Sequence, residues 1–226
     1  MITLIATGHK EIGICNSIEL YKIIEQIAPE VIFEEVPPCK FAAVYNGTRK
    51  DSLETNAIKM YLQEHPIVHI PVDMDIDGIT DKRFKGDSIK MAFVFNNYSP
   101  EYKYLTNQIN FLSEQFGFSF LNSDSCSELS ERKRFLEETM LIELNHEKLS
   151  QAHKDWLNQA YKDWLKLNSD RRNEMIKNIN SYSCQNKYER ALFLIGAAHR
   201  KPIMDKIQKL EKNNEQHLDW NFDYFK

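Results

Sequence analysis

Short apolar, β-branched runs alternate with stretches of helical periodicity along the first third of the chain. Ile2 to Thr7 is an apolar run closed by Gly8. Asn16 and Ser17 then precede Ile18, Leu20, Tyr21, Ile23, Ile24 and Ile27 at helical spacing, which predicts strand, loop and helix. Val31, Ile32 and Phe33, bracketed by prolines in PEVIFEEVPP, predict a second strand, and the βαβ unit so formed predicts parallel strands. SLETNAIKMYLQEH predicts a helix from Ser52, PIVHIPVDMD a third strand that runs out in acids, and DGITDKRFKGDS a loop, from its glycine and aspartate content.

From about Ser88 to Ile179 long amphipathic stretches take over, almost without glycine. HKDWLNQAYKDWLK puts Trp156, Ala160 and Trp164 along one side of a helix with Leu157, Tyr161 and Leu165 beside them. That broad apolar face is expected to pack on the core or a neighbouring helix; the sharper alternative is a homodimer surface or a wall over a pocket. In SDRRNEMIKNI, Ser169 or Asp170 is expected to cap a helix on which Arg171 and Met175 share a face, the arginine toward a polar cleft and the methionine toward the core. ERALFLIGAAHRKPIMDKIQKL returns to strand, tight turn and helix, and the closing EKNNEQHLDWNFDYFK, polar with aromatics, favours no one element over another. The whole, 1–226, reads as a single α/β domain with a mainly helical insertion over roughly 88–180.

A chain of 226 residues, 42% hydrophobic, can bury a sizeable core without staples. The formal charge of -4 supplies no basic field for nucleic acid or an anionic membrane, so a small molecule or peptide suits it better as substrate. No basic leader and no apolar run near the roughly 20 residues of a spanning helix stand in the sequence, which predicts a soluble, cytoplasmic protein. Cys15, Cys39, Cys126 and Cys184 lie apart, without a CxxC pair, and are expected to be free thiols.

Two strand endings match. Leu4, Ile5, Ala6, Thr7, Gly8, His9 aligns with Leu194, Ile195, Gly196, Ala197, Ala198, His199, and an apolar helix follows each. Small residues let the backbone turn at the carboxyl edge of a strand, where open parallel sheets place their ligands. If the strands are neighbours, His9 and His199 meet. The second strand ends in Glu34 and Glu35, whose side chains alternate, so one of the two is expected to enter the site. Asp73 and Asp75 end the third strand and are further candidate carboxylates. Two imidazoles and a carboxylate can hold a divalent metal, with His9, His199 and Glu34 as first ligands and Asp73 or Asp75 as additions, or they can activate water directly. Glu54 has a simpler explanation in the dipole of the helix it begins. His65, His69, His146, His153 and His217 share no such setting and are expected to be structural or solvent-facing.

ATGH ending at His9, VIFEE at Glu34 and Glu35, DRRNEM from Asp170 to Met175 and GAAH ending at His199 together resemble the TraB/TIKI group within the wider EreA/ChaN-like superfamily. Ala6 stands where the first motif usually has glycine, and Asp170 where glutamate is usual. The resemblance implies an α/β fold in which two related halves bring a mostly parallel sheet together around one polar cleft, flanked by helices. It also implies that the paired histidines, a glutamate and Arg171 form the functional site. TIKI members are metal-dependent proteases, EreA-type members hydrolyse a macrolide ester, and ChaN-like members are linked to haem or iron.

The leading expectation is a hydrolase, esterase- or peptidase-like, in which His9, His199 and Glu34 or Glu35 bind a divalent metal or activate water while Arg171 holds an anionic group or a developing oxyanion. The alternatives are a non-enzymatic small-molecule-binding or regulatory protein of the same fold and, last, a haem or iron carrier.

Overall fold

In the computed structural model, which describes residues 1–48, 51–143, 149–213 and 218–226, the strands β1 (Ile2–Thr7), β2 (Val31–Glu34), β3 (Val68–Pro71), β4 (Ala191–Gly196) and β5 (Trp220–Asn221) form one all-parallel sheet. Its order is β3-β2-β4-β1-β5. The helices are α1 (Ser17–Ile27), α2 (Pro38–Tyr45), α3 (Leu53–Glu64), α4 (Gly78–Tyr98), α5 (Pro100–Leu121), α6 (Asp124–Glu143), α7 (Gln151–Gln185) and α8 (Ala197–Lys212). His146 and His217 lie outside the described residues.

Every residue of β1, β2 and β4 is buried, as expected of parallel strands covered on both faces. Period-two alternation sorts their side chains into two cores. Ile5, Ile32, Leu192 and Leu194 face α1 and α3 through Leu20, Ile24, Ala57 and Ile58. Leu4, Phe33, Phe193 and Ile195 face α7 and α8 through Met175, Ile179, Ile203 and Ile207. Each such aliphatic or phenyl side chain contributes roughly 1.5–3 kcal/mol on burial. A third core lies in the helical lobe, where Met91, Phe95, Tyr102, Met140, Leu157, Ala160 and Tyr161 meet. The apolar face around Leu157 and Tyr161 is therefore packed inside the chain, with Trp156 and Trp164 against it. The four cysteines are free thiols. Among the described residues no helix is long and apolar enough to cross a membrane.

β1 and β2 are parallel, as expected, and β4 lies between them, with Ile2 opposite Ala191 on one side and Val31 opposite Ala191 on the other. Two expectations are corrected. DGITDKRFKGDS is not a loop: Asp77 caps α4 by accepting from the Ile79 and Thr80 amides, and burial of Met91 and Phe95 carries the helix on. Neither Ser169 nor Asp170 caps anything, since α7 passes through both without a break. The closing stretch supplies β5, paired with β1 through Ile2 and Thr3 only. Beyond Thr3 the free edge of β1 is closed by Asn122, at the end of α5, whose Oδ1 accepts from the Ala6 amide at 2.8 Å and whose Nδ2 donates to the Ala6 carbonyl at 3.1 Å.

Candidate active site

Thr7 and Gly196, the last residues of β1 and β4, lie side by side. The two histidine-bearing endings thus meet at the carboxyl edge of the sheet, beside the end of β2. His9 follows β1 in a left-handed conformation, φ 58°, which costs a residue other than glycine about 1–3 kcal/mol and is held here by its side-chain partners. His199 is buried in the first turn of α8.

Glu35 is the hub. Its Oε1 accepts from Arg171 Nη2 at 2.6 Å and lies 3.4 Å from His199 Nε2; its Oε2 accepts from the Gly196 amide at 2.6 Å and lies 3.7 Å from His9 Nε2. The carboxylate therefore stands between the two imidazoles. Burial alone would raise its pKa, yet contacts with His199, His9 and Arg171 hold it well below the usual carboxylate range. Gly196 is required by proximity: a Cβ there would run into His9 Nε2 and come within 3.1 Å of His9 Cε1 and 3.3 Å of Glu35 Oε2.

Glu54 holds the other side of His9. Its Oε1 is 3.0 Å from His9 Nδ1 and also accepts from the Thr7 hydroxyl. Loss of solvent around the ring opposes protonation, but Glu54 and Glu35 outweigh it and raise His9 to about 9. Glu54 is in turn lowered to about 2, its burial overcome by His9 and Thr7. The first-turn position of Glu54 has an explanation in the helix dipole, which is why its sequence context did not single it out. The missing signal is tertiary: α3 carries Glu54 under the end of β1.

Strand alternation separates Glu34 from Glu35. Glu35 continues the Phe33 side, toward α7 and α8, whereas Glu34 continues the Ile32 side. There its Oε2 accepts from the Tyr45 hydroxyl at 2.5 Å and its Oε1 meets His69 Nδ1 at 2.7 Å. Glu34 is thus not placed as a ligand beside His9 and His199, and its work is to fasten α2 to the sheet. Asp75 is likewise elsewhere, accepting from the Cys39 amide at 3.0 Å at the start of α2. Asp73 does join the site, through Arg171: Nε donates to Oδ1 at 3.0 Å and Nη2 to Oδ2 at 2.8 Å. Arg171 and Met175 divide the helix face as expected, the methionine fully buried in the core. Its Nε and Nη2 are thus engaged by Asp73 and Glu35, so the guanidinium positions those carboxylates, while Nη1 has a 3.4 Å contact with Asn168 Oδ1.

The geometry does not fit the expected metal set. Among the described residues, three donor atoms from different His, Cys, Asp or Glu side chains come within 4.8 Å of one another at Glu25, Glu64 and His65 and not at His9, Glu35 and His199. Both nitrogens of His9 face carboxylates, and Glu35 is already committed to Arg171 and an amide. A cleft of about 670 Å³ opens in front of His9, whose side chain is 52% exposed into it. The arrangement is an imidazole oriented by a carboxylate, with a second carboxylate at its free nitrogen and room for a ligand before it. Of the remaining histidines, His65 stacks on Tyr61, His69 is held by Glu34, and His153 is exposed beside Ser150. No family model, curated protein or solved structure matches the chain.

Proposed function

We propose that this chain is a hydrolase of the EreA/TIKI-like kind that acts on an ester or a similarly activated acyl compound by general-base catalysis, without a metal. The observation that carries this reading is the Glu54–His9 pair: Nδ1 is fixed at 3.0 Å from a carboxylate, and Nε2 is left facing the cleft, 3.7 Å from Glu35 Oε2. Two adjacent parallel strands that each end at a histidine and lead into a helix support the assignment to that superfamily.

A water oxygen at ordinary hydrogen-bond distance, about 2.8 Å, from both His9 Nε2 and Glu35 Oε2 fits at the apex of a triangle on that base. Neutral His9 takes one proton from this water as its oxygen bonds to the acyl carbon. Glu54 stabilises the imidazolium that forms, and Glu35 accepts from the second water O–H. The same proton then passes from Nε2 to the leaving oxygen as the acyl–oxygen bond breaks. Arg171, Asp73 and the Gly196 amide keep Glu35 ionised and in place.

The test is hydrolysis of a panel of p-nitrophenyl esters by the full chain, with and without a chelator. Because the base must be neutral and His9 titrates at about 9, kcat/KM is expected to rise with pH and level off near that value. His9→Ala should lower kcat/KM by about 10²–10⁴-fold, and a chelator should change nothing. Turnover that His9→Ala leaves intact, or that a chelator abolishes and added metal restores, overturns the reading.

A further inference from the structure

The cleft is electrically polarised. Its deep part carries Glu34, Glu35, Glu54 and Asp73 against Arg171 and His9, and these carboxylates are 13% exposed or less. Its outer part carries Lys10, Lys40 and Lys85 against Asp81. Lys40 comes from α2 and Lys85 from α4, yet both bond the same oxygen, Asp81 Oδ2, at 2.8 Å. Asp75, which accepts from the Cys39 amide, also faces Lys40, so Asp81 and Asp75 together oppose Lys40 and Lys85. Lys10, on the loop after β1, has no ion pair among the described residues and adds the uncompensated positive charge. Between floor and mouth the walls are apolar, with Val36, Val44, Ile58, Ile76 and Phe84.

We propose that the mouth of the cleft is an anion-binding subsite, formed by Lys10, Lys40 and Lys85, which selects ligands whose anionic head is separated by an apolar span from the group held over His9. This rests on the hydrolase reading only for what happens at the floor. The acidic floor repels an anion and the basic mouth attracts it, so such a ligand enters neutral end first, with the apolar span against the walls. Carboxylate and phosphate heads share this chemistry.

The test is calorimetric titration of hexanoate, hexyl phosphate and hexanamide into the full chain at low ionic strength. Hexanoate, hexyl phosphate or both should bind about tenfold more tightly than hexanamide, the size expected when two partly exposed cations meet one anion. That advantage should vanish in Lys40→Ala/Lys85→Ala and shrink in high salt, with hexanamide little affected. Lys10→Ala breaks no ion pair and should remove part of the advantage, which keeps the test decisive if loss of the α2–α4 tie loosens the wall. Equal binding of the three compounds, or an anion preference that survives all of these changes, overturns the subsite. No turnover is needed: a chain that binds the anions in this way and cleaves no ester refutes the hydrolase reading alone, while ester cleavage without anion preference refutes the subsite alone.

Discussion

Replacing Gly196 by alanine tests the centre of the site with a single methyl group. The backbone there, at φ -61°, accepts any L-residue, so the substitution introduces no conformational strain. Fewer unfolded conformations alone would favour the variant by about 0.4–1 kcal/mol. The cost is steric and local. The new methyl collides with His9 Nε2 and lies 3.1 Å from Cε1 and 3.3 Å from Glu35 Oε2, against ordinary contacts of about 3.5–4.0 Å between carbons. His9 is half exposed and can swing into the cleft, so the fold should survive with its melting temperature changed by only a few degrees. A ring displaced by roughly 1 Å, however, loses its alignment with Glu54 and with the water position, and a misplacement of that size costs about 10²-fold in rate. The variant should therefore fold, melt a few degrees lower below pH 6.5, where the raised His9 contributes, and lose about 10²-fold in kcat/KM. In NMR titration its His9 should move from about 9 toward the ordinary 6.5, since its placement against Glu54 and Glu35 is what raises it. Unchanged kinetics together with an unchanged His9 titration would refute the packing argument and with it the placement of His9 against Gly196.

Two further experiments follow from the same geometry. Glu35→Gln leaves Arg171 and a buried amide facing a neutral group and should cost about 3 kcal/mol of stability, roughly 6–12 °C in melting temperature for a chain of this size, and most of the activity. Glu34→Gln, which disturbs the Tyr45 and His69 contacts instead, should leave kcat/KM within a few-fold; an equal loss in the two variants would contradict their separation. Stability against pH has its own shape. His9, raised in the folded protein, contributes fully below its unfolded value of 6.5, and that contribution is lost as pH rises toward about 9. Glu54, lowered in the folded protein, contributes above its unfolded value of 4.5 and loses that contribution as pH falls toward about 2. Melting temperature should be highest between about pH 4.5 and 6.5 and fall on both sides, and His9→Ala should flatten the alkaline side; an unaltered alkaline fall in that variant would detach it from His9.

Much of the site is legible in the sequence because strand chemistry is local. The small residues before His9 and His199, the alternation that parts Glu34 from Glu35, and the four-residue spacing of Arg171 and Met175 all follow from backbone geometry. What is not legible depends on packing. Glu54 becomes part of the site only because α3 lies against α1 and beneath β1. The loop expected around Gly78 and Gly86 is helical because α4 buries Met91 and Phe95 in a core built from helices distant in sequence. The setting of Arg171 is tertiary for the same reason, since Asp73 and Glu35 reach its Nε and Nη2 from the ends of two different strands.

The central position of β4 has a consequence for synthesis. A ribosome releases the partners of that strand, β1 and β2, long before residues 191–196 emerge, and until then the middle of the sheet is a gap with unsatisfied amides and carbonyls on both banks. The two banks can be bridged only once residues 191–196 have emerged, so closure of the sheet and formation of the cleft at its carboxyl edge come together. Nascent chains halted ahead of Ala191 should accordingly lack both, and be prime clients for chaperones that shield open strand edges.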